Sequence, residues 1–390
     1  MRCMIGSDEM RLDVTHLFQP VHRTRTTDKR YNEPVYSFLN TSARPSVERI
    51  RQFWEGWFAQ YDDSKKGGLA ARFQSHDDHT HLSAFLELFA FAVLRNVGCD
   101  VQVEPTVRRK ALEFLATMRA RPLTFYTECT ATTRRTEDAS ADAREDDILE
   151  AIDKVPTGRF VLGVRFVKRG AQSPSISSLR RGLLDWLSSL KGQEPTIGQS
   201  RAEWAWEDRG WTISIWAAAV EEEGGLGVVG PVVFTPVEHL RLRRAIDRKA
   251  SKYGPLSMPL LVITASTEHQ TERDLMTALV GDKLWQINLT TRDVTVKRKA
   301  NGVFYDSKGP RNRTLSAVMH GHFGALGFAD RPITLVHHPF ASHPLPFGLF
   351  PFCEERHFNE TGEPVTRPAI VSVGEFFGLP SGWPFFDQDP

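Results

Sequence analysis

Apolar side chains recur at helical spacing twice in the first hundred residues. In SVERIRQFWEGWF, Ile50, Phe53, Trp54 and Phe58 share one face behind Ser46 and Glu48, a serine cap with an acid close after it. In HLSAFLELFAFAVLRNVG, Leu82, Phe85, Leu86, Phe89 and Val93 form one stripe, Leu88, Phe91 and Leu94 fill the rest, and Gly98 marks the stop. The pattern predicts a helix buried on nearly every side. Its one acid, Glu87, is costly there unless a cation, a metal or hydrogen-bond donors meet it. The period then changes to two. CDVQVEP, VRRKALEFLAT and RPLTFYTECTAT read as three strands, with MRAR and Pro122 turning between the last two. ASADAREDDILEAIDKV has helical character and GRFVLGVRFV is a near-continuous apolar strand, so the predicted order is helix, three strands, helix, strand.

Beyond residue 170 the chain stays mixed. The patterns predict a helix over SSLRRGLLDWLSSL, an aromatic strand pair around AEWAWEDRGWTISIWAAAV, and a helix over VEHLRLRRAIDRKASKYG. A buried strand PLLVITA, a helix near 268–280 and a hairpin over INLTTRDVTVKRKANGVFY follow. Residues 1–45 read as an arm, 46–170 as a core, 171–336 as an α/β elaboration packed on it, and 337–390 as an ordered but irregular tail. No repeat or low-complexity linker interrupts the chain, which predicts one elaborated α/β domain.

Composition adds limits. The 390 residues are 41% apolar, enough for a sizeable core, and 49 basic against 48 acidic residues leave bulk charge silent about a nucleic-acid partner. Four cysteines, Cys3, Cys99, Cys129 and Cys353, have neither disulfide-framework nor CxxC spacing, which predicts a reducing, cytoplasmic setting. MRCMIGSDEMRLDV has acids where a secretory signal carries an apolar core, and no stretch reads as a membrane span.

The candidate chemistry lies in FYTECTAT. Alternation puts Tyr126, Glu128, Thr130 and Thr132 on one face and Phe125, Thr127, Cys129 and Ala131 on the other. Glu113, on the preceding strand, can lie beside Glu128 in a hairpin register. Two carboxylates forced together repel unless a divalent cation sits between them, so the pair is a candidate Mg²⁺ or Mn²⁺ site. The alternative is structural: Glu128 paired with an arginine such as Arg108 or Arg121, and Glu87 serving a local hydrogen-bond network.

With Glu87 on the preceding helix, the arrangement resembles the PD-(D/E)XK, or restriction-endonuclease-like, nuclease superfamily, over residues 80–168. ALEF at 111–114 stands where that family has PDF, and ECT at 128–130 where it has E-x-K. The resemblance implies a mixed-sheet αβββαβ core, Glu113 and Glu128 as metal ligands with Glu87 as a further acid, and hydrolysis of DNA phosphodiesters, RNA being the other candidate backbone. It further suggests defence against foreign DNA, and a homodimer or partner protein. Glu113 replaces the usual aspartate, which keeps the charge and lengthens the reach. Thr130 replaces the lysine and cannot supply its charge. Either Lys110, Lys249 or Lys252 reaches in from elsewhere, or this chain is an inactive nuclease-fold protein that binds nucleic acid or a partner. A looser similarity, to uncharacterised bacterial proteins of comparable length, rests on the buried helix, FYTECTAT, LRRAIDRKASKYG with PLLVITA, GPRNRTLSAVM and GLPSGWP.

Two basic groups are candidate phosphate contacts: Arg241, Arg244, Arg248, Lys249 and Lys252 on one predicted helix, and Lys297, Arg298, Lys299, Arg311 and Arg313 around a later hairpin. A solvated helix face explains each group separately. GLGVVG matches G-x-G-x-x-G, but Pro231, Val232 and Val233 follow where a helix should begin, so it reads as a loop. SHDDHTH reads as a helix-entry segment in preference to a metal site, and the histidines from His320 to His357 have no ligand spacing.

Overall fold

The computed structural model describes residues 16–30, 33–132, 136–158, 160–190, 202–219, 226–230, 238–266, 272–287, 294–322, 324, 326–359 and 364–385. These fall into two compact units: one drawn from 1–27, 34–133 and 237–390, the other from 28–33 and 134–236. The single elaborated domain expected from the lack of a linker is therefore divided, because the second unit is inserted between two elements of the first.

The first unit opens with helices α1 (Val35–Thr41), α2 (Pro45–Ala59), α3 (Asp63–Phe73) and α4 (Asp78–Asn96). Pro45 occupies the first turn of α2, where a missing N–H costs nothing, and Ser46 lies inside the helix without capping it. Nothing in the pattern predicted α3; Gly67 and Gly68 interrupt it, leaving Leu69, Ala70 and Phe73 as its buried side. α4 matches its expectation: the Asp77 side chain accepts from the Thr80 N–H, and the chain leaves through Gly98 at φ +89°.

Next come β1 (Cys99–Val103), a small hairpin of β2 (Thr106–Val107) and β3 (Lys110–Ala111), then β4 (Phe114–Met118) and β5 (Thr124–Thr132). The single strand expected over VRRKALEFLAT is broken. Arg108 and Arg109 turn at φ 49° and 64°, and Glu113 stands one residue ahead of β4.

The second unit holds α5 (Thr136–Asp153), β6 (Phe160–Lys168), α6 (Ile176–Ser189), β7 (Ala202–Asp208), β8 (Trp211–Ala219) and β9 (Leu226–Gly230), with strands ordered β7-β8-β6-β9. Here the expected core boundary at 170 fails. α5 and β6 form as elements, yet β6 joins this separate sheet, and Ile148, Leu149 and Ile152 of α5 bury in the unit's own core with Leu162, Leu183 and Ile213. GLGVVG, read as a loop, contributes β9, parallel to β6; Val228 and Val229 are β-branched and suit a strand.

Back in the first unit, α7 (Glu238–Ser251) and β10 (Leu260–Ser266) follow, with β10 parallel to β5 and Val262 opposite Glu128. Then come α8 (Glu272–Val280), the hairpin β11 (Lys283–Ile287) and β12 (Val294–Arg298), and the bridge pair β13 (Tyr305–Asp306) and β14 (Gly309–Pro310). The chain continues through β15 (Leu315–His322), β16 (Ile333–His337), β17 (Cys353–Phe358), β18 (Pro364–Arg367) and α9 (Val373–Phe376). The main sheet is eight-stranded and mixed, in the order β1-β4-β5-β10-β15-β16-β17-β18. The tail expected to be irregular thus supplies β17 and β18.

Alternation on β5 and β10 sorts the two faces. Phe125, Cys129, Leu261 and Ile263 pack with the α4 side chains, whereas Tyr126, Leu260 and Val262 pack with Leu242 and Ile246 of α7. No helix among the described residues is long and apolar enough to cross a membrane.

Candidate functional site

Glu128 is the most deeply buried acid of the main sheet, with no exposed surface. It sits mid-strand on the face covered by α7, so its charge must be met by whatever that helix brings. Three groups arrive from the helix C-terminal end: Lys249 Nζ at 2.5 Å, Lys252 Nζ at 3.2 Å, and the Tyr253 hydroxyl, which donates to Oε1. Lys249 and Tyr253 are one helical turn apart, which lets both reach the same carboxylate. Lys252 also donates to the Ala111 carbonyl at 3.0 Å, and the Tyr253 hydroxyl oxygen lies 2.8 Å from that carbonyl.

Glu113 completes the cluster. Its Oε1 accepts from Lys249 at 2.8 Å and its Oε2 from the Cys129 backbone N–H at 2.7 Å. The juxtaposition expected for the two acids is therefore present, although Glu113 reaches it from the residue before β4. Burial, and then the neighbouring Glu128, push the Glu113 carboxyl up to about 8, with Lys249 pulling in the other direction. Burial works against the Lys249 ammonium, but the two carboxylates outweigh it and hold its pKa above the usual lysine range. The cysteine between them is inert, its thiol pushed well up by burial.

Glu87 goes elsewhere. On α4 it accepts from the Tyr61 hydroxyl at 2.6 Å and from Arg72 Nη1 of α3 at 2.7 Å, so it has its own guanidinium. It borders a cleft of about 320 Å³ that Ser64, Lys65, Gly68 and Arg72 wall on one side and Ala111, Leu112 and Glu113 on the other. Glu87 and Glu113 share that cleft. Among the described residues, however, no group of three His, Cys, Asp or Glu side chains converges as a metal would require, so the expected set of three acids reduces to a pair.

Of the candidates for the missing lysine, Lys110 is not the one. It donates to the Lys252 carbonyl at 2.5 Å, while Thr130 shares the Glu128 face by alternation and carries only a hydroxyl. Neither Arg108 nor Arg121 pairs with Glu128; Arg108 reaches only the Tyr253 carbonyl, at 3.5 Å. The basic groups divide similarly. Arg244 and Arg248 are exposed on α7, and Arg241 is half-buried. Arg298 donates to the Gly281 carbonyl at 3.0 Å, Arg311 lies 3.4 Å from Asp247, and Arg313 donates to the Phe340 carbonyl at 3.1 Å, while Lys299 is exposed. The second group is thus largely engaged within the protein; the Lys297 side chain lies outside the described residues.

Sequence reasoning missed Tyr61, Arg72 and Tyr253. The last had a signal, standing four residues after Lys249 and just before Gly254, but a tyrosine at a helix end reads as packing until its partner is known. SHDDHTH is a helix entry: Asp77 caps α4 and His81 Nδ1 lies 2.5 Å from the Phe73 carbonyl.

Glu113 and Glu128 offer hard carboxylate oxygens in one place, and Mg²⁺ is commonly held by one or two carboxylates with water and phosphate completing its shell. In this structure Lys249 bridges the two acids. Comparison of the chain with protein-family models, curated proteins and solved structures finds no significant match.

Proposed function

We propose that this chain is a metal-dependent nuclease of the restriction-endonuclease-like type whose lysine comes from α7 in place of β5. One observation carries the reading: Lys249 Nζ lies 2.8 Å from Glu113 and 2.5 Å from Glu128, supplying at that point the positive charge that Thr130 lacks. The element order supports it. With the inserted unit and the small β2–β3 hairpin set aside, α4, β1, β4, β5, α7 and β10 run helix, three strands, helix, strand, the strands antiparallel until β10 joins β5 in parallel.

In this reading Glu113 and Glu128 would hold Mg²⁺ or Mn²⁺, which would supply a water of lowered pKa and a counter-charge for the phosphoryl oxygens. Lys249, hydrogen-bonded to both acids, is held where its ammonium can orient the attacking water and offset negative charge on the phosphoryl oxygens. Lys252 and Tyr253 fix the Glu128 carboxylate, and burial excludes competing water. Glu87 shapes the cleft and is held out of the reaction by Arg72. DNA is the preferred substrate.

Incubation of plasmid and single-stranded DNA with Mg²⁺ or Mn²⁺ tests this, beside Glu128→Ala and Lys249→Met controls. Cleavage by the wild type alone supports the assignment; equal degradation by all three removes it. A second reading has its own observation. Glu128 is wholly covered by its three donors, as in a nuclease fold that binds nucleic acid without cutting. Salt-dependent binding with no cleavage under either metal would favour that reading.

A further inference from the structure

The hairpin β2–β3 sits beside this site with an unfavourable turn. Val107 pairs with Lys110, so Arg108 and Arg109 form a two-residue loop, and both have positive φ, 49° and 64°. Turns of this kind are met without strain by Asn-Gly or Asp-Gly; two arginines store strain instead. Both are exposed, Arg108 reaches only a backbone carbonyl, and Arg109 has no partner among the described residues.

The helix beside the hairpin carries the same sign. Arg244 and Arg248, four residues apart, share one edge of α7, Lys252 follows just past its end, and neither Arg244 nor Arg248 is paired with a carboxylate among the described residues. That edge ends at the hairpin, where Lys252 Nζ donates to the Ala111 carbonyl at 3.0 Å and Lys110 Nζ to the Lys252 carbonyl at 2.5 Å. Arg108 reaches the Tyr253 carbonyl at 3.5 Å, so the hairpin tip and the end of α7 bring arginines and lysines together next to the residues that hold Glu128.

We infer that the tip of β2–β3, with the Arg244 and Arg248 edge of α7, is a docking surface for a nucleic-acid phosphodiester backbone, and that Arg108 and Arg109 are its central contacts. Charge complementarity selects a polyanion, and exposed guanidinium groups match phosphate geometry. The choice of nucleic acid rests on the nuclease reading. The surface also has a mechanical link to the site, since Lys252 and Tyr253 each touch both Glu128 and Ala111. A backbone that draws the hairpin outward pulls on the two groups that cover Glu128.

The test uses the full chain and fluorescent oligonucleotides: duplex DNA, single-stranded DNA and duplex RNA, which separate the sources of one backbone chemistry. The variant Arg108→Asn with Arg109→Gly removes both charges and relieves the turn. It should bind its preferred probe about tenfold more weakly, lower the dependence of log Kd on log salt by roughly 2, and melt at or above the wild-type temperature. Arg244→Gln with Arg248→Gln should weaken binding in the same direction. Unchanged affinity and salt dependence in both variants, or a wild type that binds none of the probes, overturns the proposal. Metal-dependent cleavage with unchanged binding by the hairpin variant rejects the surface and keeps the nuclease. Salt-dependent binding lost in that variant, with no cleavage by the wild type, keeps the surface and rejects the nuclease.

Discussion

Two buried carboxylate clusters flank the same sheet, and their partners are nearly matched. Glu87 meets one tyrosine and one arginine; Glu128 meets one tyrosine and two lysines. The difference is a second acid. Glu87 has Arg72 to itself, whereas Glu113 and Glu128 share Lys249, so one ammonium serves two carboxylates. A guanidinium bound to a single acid is a closed unit with a fixed charge and a rigid fork of donors. An ammonium between two acids is held by both, and without it the acids would repel each other until another cation arrived. Burial alone therefore does not distinguish the two clusters; the shared cation does.

The largest effect that would break this comparison is at Lys249. Lys249→Met should lower metal-dependent cleavage by about 10²- to 10³-fold and, by leaving two acids without their shared cation, cost about 3 kcal/mol in a denaturant titration. Arg72→Met is the matching change on the other face. It should cost about 1 to 2 kcal/mol, moderated by the partial exposure of Arg72, while cleavage per folded molecule stays within about twofold of wild type. Loss of cleavage equal to that of Lys249→Met would show that Glu87 belongs to the reaction after all.

The tyrosines sharpen the contrast further. Tyr61→Phe and Tyr253→Phe each remove a buried hydrogen bond to a carboxylate and should each destabilise by about 1 kcal/mol. Only Tyr253→Phe should change the metal dependence of cleavage, read as the Mn²⁺ concentration at half-maximal rate.

A further effect is on pH dependence. Glu113 is shifted upward, from 4.5 to about 8, so the folded state holds a proton that the unfolded chain has released across that window. Its contribution to stability is present below pH 4.5 and is lost as pH rises towards 8. Glu113→Gln should flatten that slope in melting curves recorded across the range, and an unchanged slope would remove Glu113 as its source.

Much of the α7-side site was legible in the chain, and little of the α4-side one. Strict alternation in FYTECTAT placed Glu128 on one face, and hairpin proximity brought Glu113 to it. Thr130 in the lysine position left two alternatives, an inactive chain or a lysine from elsewhere, with Lys249, 121 residues after Glu128, among the candidates. What alternation could not supply was the identity of the covering helix. The acidic stretch at 139–155 read as the helix next in order after the third strand, because an inserted unit with its own core has no signature in local periodicity. Arg72 was hidden for a different reason. Gly67 and Gly68 weakened the helical signal of α3, so the segment carrying the partner of Glu87 was not seen as an element at all. Contacts set by a period of two or 3.6 residues can be read from sequence; those set by which distant helix lands on a face depend on tertiary packing.

Titration of Mn²⁺ into the wild type, Glu87→Gln and Glu128→Gln, followed by calorimetry, tests the central claim most directly. The account predicts one site in the wild type and in Glu87→Gln, absent from Glu128→Gln. No binding by the wild type, or equal binding by all three proteins, would contradict it.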